Sequence, residues 1–119
     1  MSFTNLTVDS DYNISLVRGD TAFFDVPLFE IDDEGHETPY TPQEGEVLRF
    51  AMSKKFGSTS DEVLILKDIP ISTMVLRIEP ADTKSLAFGN YKYDIEFTDL
   101  FGNVTTVLEA NFTVAKEVY

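Results

Sequence analysis

Asp82-Thr-Lys-Ser-Leu-Ala-Phe-Gly-Asn-Tyr-Lys-Tyr-Asp-Ile-Glu-Phe97 is the stretch on which the fold turns. Its second half alternates strictly. Tyr91, Tyr93, Ile95 and Phe97 fall on one face, and Lys92, Asp94 and Glu96 on the other. A period of two with aromatic and β-branched residues on one side predicts a half-buried strand. The first half predicts a short helical turn from Pro80 to about Leu86. Proline fits the first turn of a helix, and Asp82 can accept from nearby backbone N–H groups. Gly89 then supplies the corner into the strand.

This order (an acidic residue, a helical turn, a glycine, then Tyr-x-Tyr) resembles the corner of an immunoglobulin-like sandwich. There a tyrosine hydroxyl ties the turn before the sixth strand, two residues ahead of a core position. The resemblance implies a structural corner of Asp82, Gly89, Tyr91 and Tyr93. Tyr91 would be the cap, and Tyr93 would stand where antibody domains place their second cysteine.

On either side, strands alternate with turns. Tyr12 to Val17 predicts a strand with Tyr12, Ile14 and Leu16 on one face. Arg18-Gly19-Asp20 spells an integrin-binding tripeptide, but a glycine between two strands reads first as a turn. Thr21 to Leu28 predicts a second strand, with Ala22, Phe24, Val26 and Leu28 inward and Phe23 outward. Glu46 to Ser53, Glu62 to Lys67 and Thr73 to Glu79 predict further strands, with a turn from Asp68 to Ser72. Asp99 to Asn103 predicts a hairpin turn. Val104 to Val114 predicts a final strand with Thr106, Leu108, Ala110, Phe112 and Val114 on one face. The expected fold is all-β: an immunoglobulin-like antiparallel β-sandwich of about seven strands with one short helical turn near residues 80–86. Residues 1–119 read as one domain, with 1–11 as an arm and 115–119 as a tail.

The totals narrow the function. The 119 residues include no cysteine, so the core must hold without disulfides or thiolate metal sites. Twenty-one acidic residues against nine basic ones give a net charge of −12. Such a surface repels phosphate backbones and anionic lipid, so neither nucleic acid nor membrane is expected as a partner. No apolar run approaches the roughly 20 residues that span a bilayer. Met1 to Val8 lacks the basic start and apolar core of a signal peptide, which leads to an expectation of synthesis in the cytoplasm.

The groups that carry catalysis are scarce. A nucleophile needs a base within reach, and the only histidine, His36, sits among the acids of Asp32 to Glu37. That acidic stretch fails the calcium-loop pattern, because its acids are contiguous and its glycine comes fourth. It reads as a solvated hairpin tip. The glycines stand singly at turns and form no phosphate loop. No enzyme activity, cofactor or metal is expected. The Asn-x-Ser/Thr sequons at Asn5, Asn13, Asn103 and Asn111 read as coincidence in a chain rich in threonine and asparagine. The aromatics are more informative. Phe23 points away from its strand's inward set, and Phe3, Tyr40, Phe56, Phe88 and Tyr119 fall in loops or tails. Phe23, Tyr40, Phe56 and Tyr119 are the candidate interface residues.

Five segments together resemble a known family. They are Arg18-Gly-Asp-Thr21, Leu48-Arg-Phe-Ala51, Val63-Leu-Ile-Leu-Lys67, Asp82-Thr-Lys-x-Leu-x-x-Gly-x-Tyr-x-Tyr-Asp-Ile95 and Gly102-x-Val-x-Thr106. The chain resembles small structural proteins found with the tail and baseplate genes of bacteriophages and prophages of Gram-positive bacteria. The resemblance implies an immunoglobulin-like domain with a non-enzymatic role in the virion. Its partners would be other phage structural proteins, and a homo-oligomer would be in keeping with the symmetry of such particles. The alternative, from the residues alone, is a carbohydrate- or cell-surface-binding module in which Tyr40 and Tyr119 are the exposed tyrosines.

Overall fold

The structure is a computed structural model that describes residues 6–8, 10–57 and 59–116. Ten strands form: β1 (Leu6–Val8), β2 (Ile14–Val17), β3 (Ala22–Asp25), β4 (Phe29–Ile31), β5 (Glu37–Pro39), β6 (Val47–Ser53), β7 (Ile65–Ile69), β8 (Val75–Ile78), β9 (Gly89–Thr98) and β10 (Val104–Ala115). One 3₁₀ turn, Ser60–Glu62, precedes β7, and one short helix, α1 (Pro80–Lys84), precedes β9. The fold is all-β. Six strands form one sheet in the order β1-β2-β10-β9-β6-β7, and β3-β8 and β4-β5 form two ribbons.

β9 is the centre of this arrangement. It pairs with β6 on one side and β10 on the other. Its inward residues Tyr91, Tyr93 and Ile95 are buried, and its outward residues are half-exposed. Leu48, Phe50 and Met52 of β6 and Ala110, Phe112 and Val114 of β10 complete that face. Ala22, Val26, Leu76 and Ile78, in or beside the β3-β8 ribbon, join the same core. Burying a side chain of this size is worth about 1.5–3 kcal/mol, which sets the inward alternation of every long strand.

Several expectations are corrected. The sheet is not purely antiparallel, because β10 runs parallel to β2 through Phe112↔Ile14 to Ala115↔Val17. There are ten described strands rather than about seven. The extra ones are three-residue elements, too short for periodicity to reveal. Tyr12 does not join the inward face of β2. It has a φ of 65° and is exposed, and its carbonyl accepts the hydroxyl of Tyr93. The strand expected at Glu62 begins at Ile65 instead. Glu62 turns back so that its Oε1 accepts from the N–H and hydroxyl of Thr59, at 3.0 and 3.1 Å, and starts the 3₁₀ turn. Thr106 is not inward. The pairing of β10 with β9 shifts between Thr106 and Leu108, so the extra residue Val107 breaks the alternation there.

The corner is built as a set of hydrogen bonds. Tyr91 Oη donates to the Ala87 carbonyl at 2.7 Å. The Glu79 N–H donates to Asp82 Oδ2 at 2.7 Å, and Lys67 forms an ion pair with the same carboxylate. Thr83 is fully buried, and its Oγ1 accepts the Gly19 N–H at 2.8 Å. Arg18 donates to the Leu86 carbonyl at 3.3 Å and lies 4.2 Å from the centre of the Phe88 ring. The Arg18-Gly19-Asp20 turn is thereby fastened to the α1–β9 corner.

Candidate functional site

Two hairpin tips share one construction. In Asp32-Asp-Glu-Gly-His36, the Asp32 Oδ1 accepts the N–H groups of Glu34 and His36 at 2.9 and 2.8 Å. In Asp99-Leu-Phe-Gly-Asn103, the Asp99 Oδ1 accepts those of Phe101 and Asn103, both at 2.9 Å. In each, the glycine N–H donates to the carbonyl of the aspartate, and the first and fifth residues close the loop through their backbones. Gly35 and Gly102 both have φ of 83°, the left-handed region that favours glycine. These bonds favour the ionised carboxylates, so Asp32 and Asp99 are both held below the ordinary value of 3.8.

The loops differ in what they present. The first shows Asp33 and Glu34 to water. The second shows Leu100, 53% exposed, and Phe101, 90% exposed. Phe29 of β4 and Val107 of β10 are also exposed and line one cleft with Leu100 and Phe101, and Val104 opens β10 just after the tip; Ile31 of β4 is exposed as well. Val107 stands where the bulge breaks the inward–outward alternation.

A cleft of about 600 Å³ lies among these groups. Leu28, Phe29, Phe97, Leu100, Phe101 and Val107 supply apolar walls, and Glu30, Tyr40, Gln43, Glu46 and Asp99 supply polar groups. Tyr40 is half-buried with its ring edge-on to Phe97, the centroids 5.7 Å apart. Its hydroxyl donates to Glu46 Oε1 at 2.6 Å, and the same oxygen accepts the Gln43 N–H at 2.7 Å. The Tyr40 phenol is pushed up to about 12. The Glu46 hydrogen bond is the main cause, followed by burial and by the charges of Glu46, Glu30 and Asp99. Leu100 closes over Gly45, where φ is 96° and an added Cβ would stand 2.8 Å from Leu100 Cδ2.

The four interface candidates from the sequence are not brought together. Tyr40 lines this cleft. Phe23 stands exposed on β3, with the Arg77 guanidinium 5.1 Å from its ring centre. Phe56 lies in a different surface recess, with the Lys92 ammonium 5.7 Å away. Tyr119 lies outside the described residues, as do Phe3 and Asn5. Sequence reasoning passed over Phe29, Ile31, Leu100, Phe101, Val104 and Val107. A signal was there: Leu-Phe is an unusual filling for a polar turn, and two large apolar residues at a hairpin tip have no core to enter.

Three of the sequon asparagines hold hydrogen bonds within the fold. Asn13 Oδ1 accepts the Asn111 N–H at 2.9 Å, Asn111 Oδ1 accepts from Lys92, and Asn103 Nδ2 donates to Asp99 Oδ2 at 3.1 Å. On the outer face of the main sheet, Asp94 lies directly opposite Glu109. Burial and the charges of Glu96 and Glu109 raise the Asp94 carboxyl above its ordinary value. Among the described residues no group of three or more carboxylates or histidines is placed to hold a metal ion, and no helix is long and apolar enough to cross a membrane. No protein family and no curated protein sequence matches the chain.

Proposed function

We propose that the chain is a non-enzymatic assembly module of a phage or prophage tail or baseplate. The observation that carries the interaction is the apolar cluster around the β9–β10 tip. Contiguous exposed apolar residues beside a cleft mark a surface made to be covered, and the aromatic content suits a protein partner. The phage context rests on the five-segment resemblance, above all on Asp82 to Ile95. An immunoglobulin-like sandwich is the fold reading that goes with it. In its support, the main sheet and the β3-β8 ribbon contribute to one core, and Tyr91 is bonded to the Ala87 carbonyl.

The test is immunolabelling of tailed particles from the strain that encodes the chain. Label at the tail tip or baseplate is the expected result. Particles that carry no label overturn the reading.

The alternative of a carbohydrate-binding module draws less support. Sugar platforms present a flat ring face beside free polar groups. Of the two tyrosines this reading uses, Tyr40 has its ring edge-on to Phe97 and its hydroxyl on Glu46, and Tyr119 lies outside the described residues.

A further inference from the structure

We propose that the cleft between Tyr40 and the β9–β10 tip receives a lysine or arginine side chain, presented between apolar residues by a partner polypeptide. This rests on the assembly reading and names the chemistry of its partner.

The first ground is a contrast among the exposed phenylalanines. Phe88 has Arg18 over its ring, Phe23 has Arg77 and Phe56 has Lys92, each cation supplied by the chain itself. Phe29 is about as exposed as these and Phe101 far more so, yet no cation of the described residues lies over either ring. These two exposed phenylalanines without a cation both line the cleft.

The second ground is charge. Glu30, Glu46 and Asp99 line the cleft, and no lysine or arginine is among its described lining residues. None of the three carboxylates forms an ion pair with a described residue. Asp99 is held ionised by the N–H groups of its own turn. Carboxylates among apolar walls, with Glu30 exposed, Asp99 half-buried and Glu46 buried against Tyr40, match a long cationic side chain, whose methylene stem packs on apolar surface while its head meets carboxylate and ring face. The same carboxylates argue against a second copy of this chain, because two such clefts would bring acid against acid on molecules of net charge −12.

The test titrates the full ¹⁵N-labelled chain with three acetylated, amidated tripeptides: leucine-arginine-phenylalanine, its neutral citrulline analogue, and its glutamate analogue. The arginine peptide is expected to shift the amides of Gln43, Phe101, Thr105 and Val107, and to bind about fivefold or more tightly than the citrulline peptide. Glu30→Gln should remove most of that preference. Phe101→Ser should abolish the shifts. Both side chains are exposed, so an unchanged spectrum of the free variants confirms that they fold.

Equal binding of the arginine and citrulline peptides at the cleft overturns the cationic partner and leaves the assembly reading intact. Shifts spread over Asp94, Glu96 and Glu109 overturn the proposal, because they signify diffuse attraction to an acidic protein. Absence of shifts with every peptide overturns it too. The particle-labelling experiment decides the assembly reading independently of all three outcomes.

Discussion

Tyr91 and Tyr93 sit two residues apart on β9, and each uses its ring for the core and its hydroxyl for a backbone carbonyl. Tyr93 packs with its ring centroid 5.3 Å from that of Phe50 and 6.4 Å from that of Phe112, and it reaches back to Tyr12. Tyr91 closes the corner on Ala87. Tyr91→Phe should therefore cost about 1 kcal/mol in chemical denaturation, near the low end for a lost hydrogen bond because Ala87 is exposed and water can reach its carbonyl. An unchanged midpoint would remove the corner bond from the stability of the fold. Thr83→Ala should cost about 1–2 kcal/mol, since the Gly19 N–H loses a buried acceptor, and Thr83→Ser should recover most of it. Tyr91 was legible because the residues before it spell its setting. Thr83 was not, because its partner is 64 positions away and nothing local marks it. Tyr40 was legible as an aromatic in an irregular connection, but its bond to Glu46 was not. That bond gives a spectroscopic test. The 295 nm alkaline titration should contain a component near 12 that is missing in Tyr40→Phe and that moves toward 10.0 in Glu46→Gln. Because the phenol is raised in the folded state, its contribution to stability is complete below 10.0 and is lost as pH climbs through about 12.

Among the elements, the long strands were readable and the short ones were not. β6 and β9 run seven and ten residues with apolar side chains at every second position, so burial and sequence carry the same period. β1, β4 and β5 have three residues each and no period to read. The 3₁₀ turn before β7 had a local signature, Thr59-x-x-Glu62, whose capping role competes with the apolar run that follows it. The bulge at Val107 left no signature, because an inserted residue looks like its neighbours until the partner strand is known. At this scale the two aspartate turns set the acid response. Both carboxylates are depressed in the folded state, so their support is complete above 3.8 and disappears as pH falls through their lower folded values. A denaturation series from pH 5 downward should show it, and Asp99→Asn should flatten the slope. Asp94 has the opposite sign. Its raised carboxyl is a cost of folding in the charged form, and Asp94→Asn should stabilise the sheet by a few tenths of a kcal/mol, as expected for relieving like charges on paired strands.

The whole molecule carries its most exposed aromatic residue, Phe101, beside a cleft at the β9–β10 tip, and a strongly acidic balance overall. Self-association through the Phe29–Phe101 region is opposed by that charge, so the chain should be monomeric in dilute buffer, with any self-association confined to high salt. Light scattering on a sizing column at low and high ionic strength checks this. Phe101→Asp should hold the chain monomeric under both conditions. An oligomer that persists in that variant places the contact elsewhere. The all-β class was legible from composition and spacing together. The parallel pairing of β2 with β10 was not, because residue patterns fix which face a strand buries and say nothing of which neighbour it chooses.

The twin turns at Asp32 and Asp99 separate the frame of a loop from its content. Aspartate at the first position and glycine at the fourth hold the backbone; the third residue lends only its N–H to the aspartate carboxylate, so the second and third side chains take no part in those bonds. One copy carries Asp33 and Glu34 there, and the other carries Leu100 and Phe101. A change of two side chains can therefore turn a solvated tip into an adhesive one without rebuilding the backbone, so new specificities at this end of the molecule are only a few substitutions apart.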